Sequence, residues 1–148
     1  MKSMKYAVLV LAVGLTGCGG AADSAGQEGT EVARTASADA MAGCYATKKE
    51  GKADIRIEEE AGAHYVSFLR QGAWKKEPKP LAFASSVQLQ DMFKSEANQI
   101  EAALVYPNGA FGLFKLVEGS MLKRRDPDSD YMALVVFGAG PVYHSACK

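Results

Sequence analysis

Two apolar runs of strand length, Ile100-Glu101-Ala102-Ala103-Leu104-Val105-Tyr106 and Ala110-Phe111-Gly112-Leu113-Phe114-Lys115-Leu116-Val117, are separated only by Pro107-Asn108-Gly109. Asn-Gly supplies the positive φ angles that a tight turn requires, and β-branched and aromatic residues flank it on both sides. An antiparallel hairpin follows. It commits the second half of the chain to a sheet, because a lone hairpin is barely stable in water without further strands on its edges.

Those further strands are legible on both sides. Ile55 and Ile57 alternate with Asp54, Arg56 and Glu58, the pattern of a half-buried strand. Tyr65 to Leu69 reads as its partner, with Ala61-Gly62-Ala63 as the turn between them. A first strand opens at Gly43-Cys44-Tyr45. Tyr131 to Phe137 is a near-continuous apolar run, Gly138-Ala139-Gly140-Pro141 breaks it, and Val142 to Ala146 resumes as a last strand. Ser85 to Ala97 is the exception: Leu89, Met92, Phe93, Ala97 and Ile100 recur at helical spacing, and Ser85 with Gln88 fits a capping box. Val87 and Leu89 also alternate, which leaves a strand as the second reading of that stretch. The expected fold is mainly β, an antiparallel meander of seven or eight short strands forming a barrel or half-barrel, with one short helix.

The N-terminus has the layout of an export signal. Lys2 and Lys5 precede ten apolar residues, Tyr6 to Leu15. A bilayer crossing takes about 20 residues, so a signal peptide is preferred over a transmembrane helix. The run closes on Leu15-Thr16-Gly17-Cys18, which resembles the lipobox of bacterial lipoproteins. The resemblance covers this signal alone. It implies that Cys18 carries fatty acyl chains such as palmitate on its thiol and its new amine, and that residues 1–17 are removed. It implies too that Gly19, standing where an aspartate retains such proteins at the inner membrane, sends the protein to the outer membrane, facing the periplasm. A non-lipidated secretory signal, with Cys18 incidental, is the competing reading.

Residues 18–40 then form a lipidated cysteine and tether, rich in Gly, Ala, Ser and acidic residues. Such a stretch has too little apolar surface to offset its ordering entropy. As a flexible coil its rms reach is roughly 25 Å. Residues 41–148 are left as one domain. In an oxidising periplasm its two cysteines, Cys44 and Cys147 in the first and last strands, are expected to pair. A metal site on His144 and Cys147 is the weaker reading, since no second His or Cys lies near them in sequence. No cofactor and no metal are expected.

Residues 1–17 carry Lys2 and Lys5 and no acid, so their loss leaves 15 basic against 17 acidic side chains. A near-neutral domain offers nothing to nucleic acid, which demands a basic face. Catalytic patterns fail on inspection. Asp126, Asp128 and Asp130 alternate like the opening of a calcium loop, but Tyr131 and Phe137 stand where its glycine and its final carboxylate belong. Ser120-Met121-Leu122-Lys123 and Ser145-Ala146-Cys147-Lys148 match S-x-x-K without the elements that accompany it in penicillin-binding enzymes. His64 and His144 each have an aromatic neighbour and read as packing or surface residues, and Glu58-Glu59-Glu60 as a solvated strand end. The expectation is not an enzyme.

Two stretches read as interaction surfaces. Trp74-Lys75-Lys76, the only tryptophan among lysines and prolines, is expected in a loop; Lys123-Arg124-Arg125 leads into the acidic turn. Trp and Arg are enriched at binding hot spots. The leading expectation is therefore a protein-binding module tethered to the outer membrane with a partner in the periplasm, such as an inhibitor or immunity protein against a cell-wall hydrolase or toxin. Lysozyme inhibitors of the bacterial envelope are similar in size, anchoring and strand content, a likeness of architecture only. The alternatives are a structural lipoprotein of an envelope assembly and a carrier of a small apolar ligand. The second follows from Gly43-Cys44-Tyr45, which is similar at two of three positions to the G-x-W opening of lipocalin-like barrels.

Overall fold

The computed structural model describes residues 40–136 and 138–148. The expected signal, the expected lipidation at Cys18 and the expected tether before Ala40 lie outside the described residues. Among these, nine strands form one antiparallel sheet: β1 (Gly43–Ala46), β2 (Ile55–Glu60), β3 (Ala63–Arg70), β4 (Ala73–Lys76), β5 (Ala82–Phe83), β6 (Ile100–Val105), β7 (Phe111–Leu116), β8 (Tyr131–Val135) and β9 (Gly138–Ser145). Their order across the sheet is β4-β3-β2-β1-β9-β8-β7-β6-β5. Two meanders, β1–β4 and β5–β9, are thus joined where β1 pairs with β9. The sheet curls into a half-barrel, and an isolated bridge ties its two ends: Leu81 N donates to His64 O at 2.7 Å.

Local chemistry explains the turns. Ala61-Gly62 and Gln71-Gly72 are two-residue connections with positive φ at both positions, the geometry that matches the twist of the strands they join. The expected hairpin forms between β6 and β7, but its turn differs from the expectation. Only Gly109, at φ 72°, is left-handed. Pro107 fixes a negative φ and takes the second position of a turn in which Gly109 N donates to Tyr106 O at 2.8 Å. Asn108 instead accepts from Ala110 N at 3.0 Å.

The helical reading of the segment after β5 holds for α1 (Ser86–Phe93), with the capping box of Ser85 and Gln88 in place. The helix stops earlier than the sequence suggests. Lys94 turns left-handed at φ 53° and the chain tightens into a 3₁₀ segment, Lys94–Gln99. Met92 is consequently exposed, while Leu89 is buried and Phe93 and Ala97 pack inward. A second short helix, α2 (Met121–Arg125), joins β7 to β8.

Gly138 to Pro141 does not interrupt the last strand as expected; β9 starts at Gly138 and runs through Pro141. Pro141 is tolerated opposite Met132 because the pairing of β9 with β1 spans only Tyr143 to Ser145. At Pro141 the strand has a neighbour on one side alone, an edge-like position. Cys147 lies two residues beyond β9 rather than within it, and bonds to Cys44 with the Cα atoms 5.3 Å apart.

The sheet buries both of its faces in part. Inside the curl, Tyr45, Ile57, Val66, Leu104, Leu113 and Val142 pack together, and Met41 joins them from below β1. The Tyr45 hydroxyl donates to Met41 O at 2.6 Å, so the start of the domain is stitched into its own core. Outside the curl, Ala103, Val105, Phe114 and Leu116 lie under Leu89 of α1, with Leu122 of α2 packed against them. A bulge between Ile100 and Ala102 rephases β6 so that Ala102 and Leu104 face inward while Ala103 and Val105 face the helix. Two-sided burial is why β6 and β7 read as nearly continuous apolar runs.

Candidate binding face

Side chains alternate across a strand, and directly paired residues of neighbouring strands share a face. On β2, β3 and β4 the inward positions are Ile55, Ile57, Val66 and Phe68. The outward positions are Arg56, Glu58, Tyr65, Ser67, Leu69, Trp74 and Lys76. Trp74 therefore stands on a strand and not in a loop, and on the outer face, directly opposite Leu69. It is half-buried, because the Arg56 guanidinium lies over its ring, 4.8 Å from the centroid. Two strands make this pair possible, since Arg56 is opposite Ser67 on β3 and Ser67 is opposite Lys76 on β4.

A second cation lies over a second ring beside the first. Lys76 Nζ is 3.9 Å from the centroid of Tyr65 and 2.5 Å from Glu60 Oε2. Arg56 is also held by Glu58 at 3.2 Å. Each contact is modest alone, a cation over a ring contributing about 0.5–1 kcal/mol at an exposed site. Together they gather two aromatic rings and two cations on one patch of the outer face. Beneath them, the Arg56 Nε and the fully buried Ser67 Oγ have no hydrogen-bond partner among the described residues, a desolvation cost at this face.

Of the residues expected to act together, the structure unites only some. Trp74 and Lys76 share the outer face; Lys75, opposite Phe68, projects from the other side of β4. Lys123, Arg124 and Arg125 belong to α2, between β7 and β8, and make no described contact with the Trp74 group. Lys123 is pinned by Asp130 and by Glu118 at 3.1 Å, and these hydrogen bonds raise its pKa. Arg125 reaches Glu96 at 3.5 Å, and Arg124 is exposed. Arg56 and Tyr65 were not singled out in the sequence. Their outward phase, opposite in parity to Ile55, Ile57 and Val66, is the signal that finds them.

The other motifs resolve into structure. Ser120 caps α2, its hydroxyl accepting from Lys123 N at 3.2 Å, which accounts for that S-x-x-K spacing without chemistry. The three aspartates of the acidic turn take separate partners: Asp126 accepts from the Tyr143 hydroxyl at 2.5 Å, Asp128 pairs with Lys49 at 2.5 Å, and Asp130 pairs with Lys123. The first two bonds raise the pKa values of Tyr143 and Lys49. No group of three or more His, Cys, Asp or Glu gathers among the described residues. His64 is buried with its ring edge-on to Phe83, and His144 meets Tyr45 in the same way. Comparison of the chain with protein-family models, with curated proteins and with solved structures yields no match.

Proposed function

We propose that this chain is a lipid-anchored protein of the bacterial envelope whose domain captures a protein partner through the outer face of β2, β3 and β4. The observation that carries the reading is Trp74 held on the outside of the sheet beneath Arg56, with Tyr65 and Lys76 beside it. A large aromatic ring kept at the surface in a fixed pose gives contact area at little cost in side-chain entropy, and Trp, Tyr and Arg are the residue types enriched at hot spots. The position suits a tethered molecule. The chain enters at Met41, before β1, whereas Trp74 lies near the β3–β4 turn, toward the other end of β1.

A carrier with its ligand inside the barrel finds no support in an interior occupied by Tyr45, Leu104, Leu113 and Val142. The partner class that best fits an outer-membrane anchor facing the periplasm is a cell-wall hydrolase or a toxin, which the module would occlude. The test is affinity capture from periplasmic extract and culture supernatant, using the chain from residue 18 with Cys18→Ser, in parallel with its Trp74→Ala form. A protein retained by the first and lost from the second supports the reading. Equal recovery on both, or none on either, removes it.

A further inference from the structure

At the end of the half-barrel where β1 finishes and β2 begins, the two ends of the sheet part and leave a cleft of about 430 Å³. The β3–β4 hairpin forms one wall and the tip of the β6–β7 hairpin the other. The floor is Ile55, Val66, Phe68 and Phe111, with the two phenylalanine rings edge to face at 5.4 Å. Val135 and Val136 form an apolar lip, 37% and 73% exposed. Adjacent valines left this open to water are not accounted for by the core, to which neither contributes.

The two carboxylates and the Asn108 amide oxygen at the cleft already accept hydrogen bonds or ion pairs from the chain. Asp54 accepts from Thr47 N at 3.0 Å and from the Thr47 hydroxyl. Glu77 pairs with Arg70 at 3.5 Å, and the Arg70 guanidinium also lies over Phe68, 5.4 Å from its centroid. Asn108 accepts from Ala110 N. A cation would compete with the donors these acceptors already hold, and a charged ligand of either sign would lose its own hydration against an apolar floor. A neutral one gains from the aromatic floor and disturbs nothing. The volume falls in the range of small-molecule sites, which are apolar with few polar groups at their margins.

We infer that this cleft binds a small, neutral, apolar molecule, seated on Phe68 and Phe111 and covered by the Val135–Val136 lip. The site adjoins the protein-binding face at Leu69, which lines the cleft and is paired with Trp74, but Trp74 itself does not line it. It is the open mouth of the half-barrel, floored by the inward-facing Ile55, Val66 and Phe68, and its occupant rests on the packed interior and does not lie within it. The ligand enters from the end of the domain opposite Met41, where the chain begins the fold.

The test uses the chain from residue 18 with Cys18→Ser, so that no acyl chain competes, and the fluorescence of N-phenylnaphthylamine, a neutral apolar probe. Saturable binding at one site per chain is expected. The sulfonated analogue, anilinonaphthalene sulfonate, carries similar rings with an added anion and is expected to bind at least about tenfold more weakly. Val136→Asp, at an exposed turn position, should weaken the neutral probe by about tenfold or more with an unchanged melting temperature. Val87→Asp on α1, equally exposed but remote from the cleft, and Trp74→Ala should leave it unchanged. Unsaturable binding, equal or tighter binding of the sulfonate, or insensitivity to Val136→Asp would each overturn the assignment. Because Trp74→Ala is predicted silent here and decisive in the capture experiment, failure of one reading is distinguishable from failure of the other.

Discussion

Breaking the Cys44–Cys147 bond should cost this domain a large part of its stability. The two residues are 103 positions apart, so the bond closes nearly the entire described chain into one loop. In the chain-entropy account a loop of about 100 residues stabilises the fold by roughly 4.7 kcal/mol at 25 °C. A domain of this size has about 5–15 kcal/mol in all. The location adds to the effect: the bond staples β1 to the chain just beyond β9, and the β1–β9 ladder of Cys44 to Ala46 with Tyr143 to Ser145 joins the two meanders. Cys147 is exposed and Cys44 fully buried. Cys147→Ala thus removes the loop closure with little lost packing, whereas Cys44→Ala adds a cavity. Urea unfolding of the oxidised protein and of Cys147→Ala should differ by about 4–5 kcal/mol. Amide exchange at Tyr45 and His144 should accelerate in the variant more than at Leu104 and Leu113. A loss below about 1 kcal/mol would mean that strand pairing alone holds the joined ends and that the bond adds little.

Three further outcomes are expected. Gly112→Ala should destabilise by about 1–3 kcal/mol in thermal unfolding, since a Cβ there would come within 2.6 Å of the Phe114 ring, which is itself packed under α1. Tyr45, raised by burial and the neighbouring Tyr131, and Tyr143, raised by its bond to Asp126, should stay protonated above the ordinary tyrosine pKa of about 10. Their contribution to stability is then complete below pH of about 10 and is lost as pH rises through the elevated values. NMR titration of Tyr143 in Asp126→Asn should return its midpoint toward about 10. Cys18→Ser should abolish metabolic labelling with a fatty acid and release the protein to the soluble fraction or leave an unprocessed precursor; unchanged labelling would remove the lipoprotein assignment.

Alternation and turn chemistry made most of the sheet legible. Ile55 with Ile57, the apolar runs around Pro107-Asn108-Gly109, and Tyr131 onward each mark a strand that the structure contains. What escaped was governed by neighbours distant in sequence. Nothing local separates Trp74-Lys75-Lys76 from a loop, because β4 exists by pairing with Ser67 to Arg70 and carries no apolar period of its own. Gly138 to Pro141 has the composition of a break, yet small residues fit beside Ala133 and Leu134 once β8 is in place. The end of α1 was set by Lys94 adopting a left-handed backbone, a conformation lysine seldom takes and no pattern announces. The candidate binding face was half legible: Trp74 stood out by type, while Arg56 and Tyr65 required the register of β2 with β3.

The most direct measurement is a titration of the partner recovered by capture against the Cys18→Ser chain and its Trp74→Ala variant, with thermal melting alongside. Trp74 lies on the outer face and packs against Arg56 rather than within either core, so its truncation should lower stability by only about 1 kcal/mol. A hot spot truncated to Ala loses about 2 kcal/mol or more, roughly thirtyfold in affinity. Affinity is expected to fall by that amount with melting nearly unchanged. Full affinity in the Trp74→Ala variant, or a loss of affinity matched by several kcal/mol of lost stability, would contradict it.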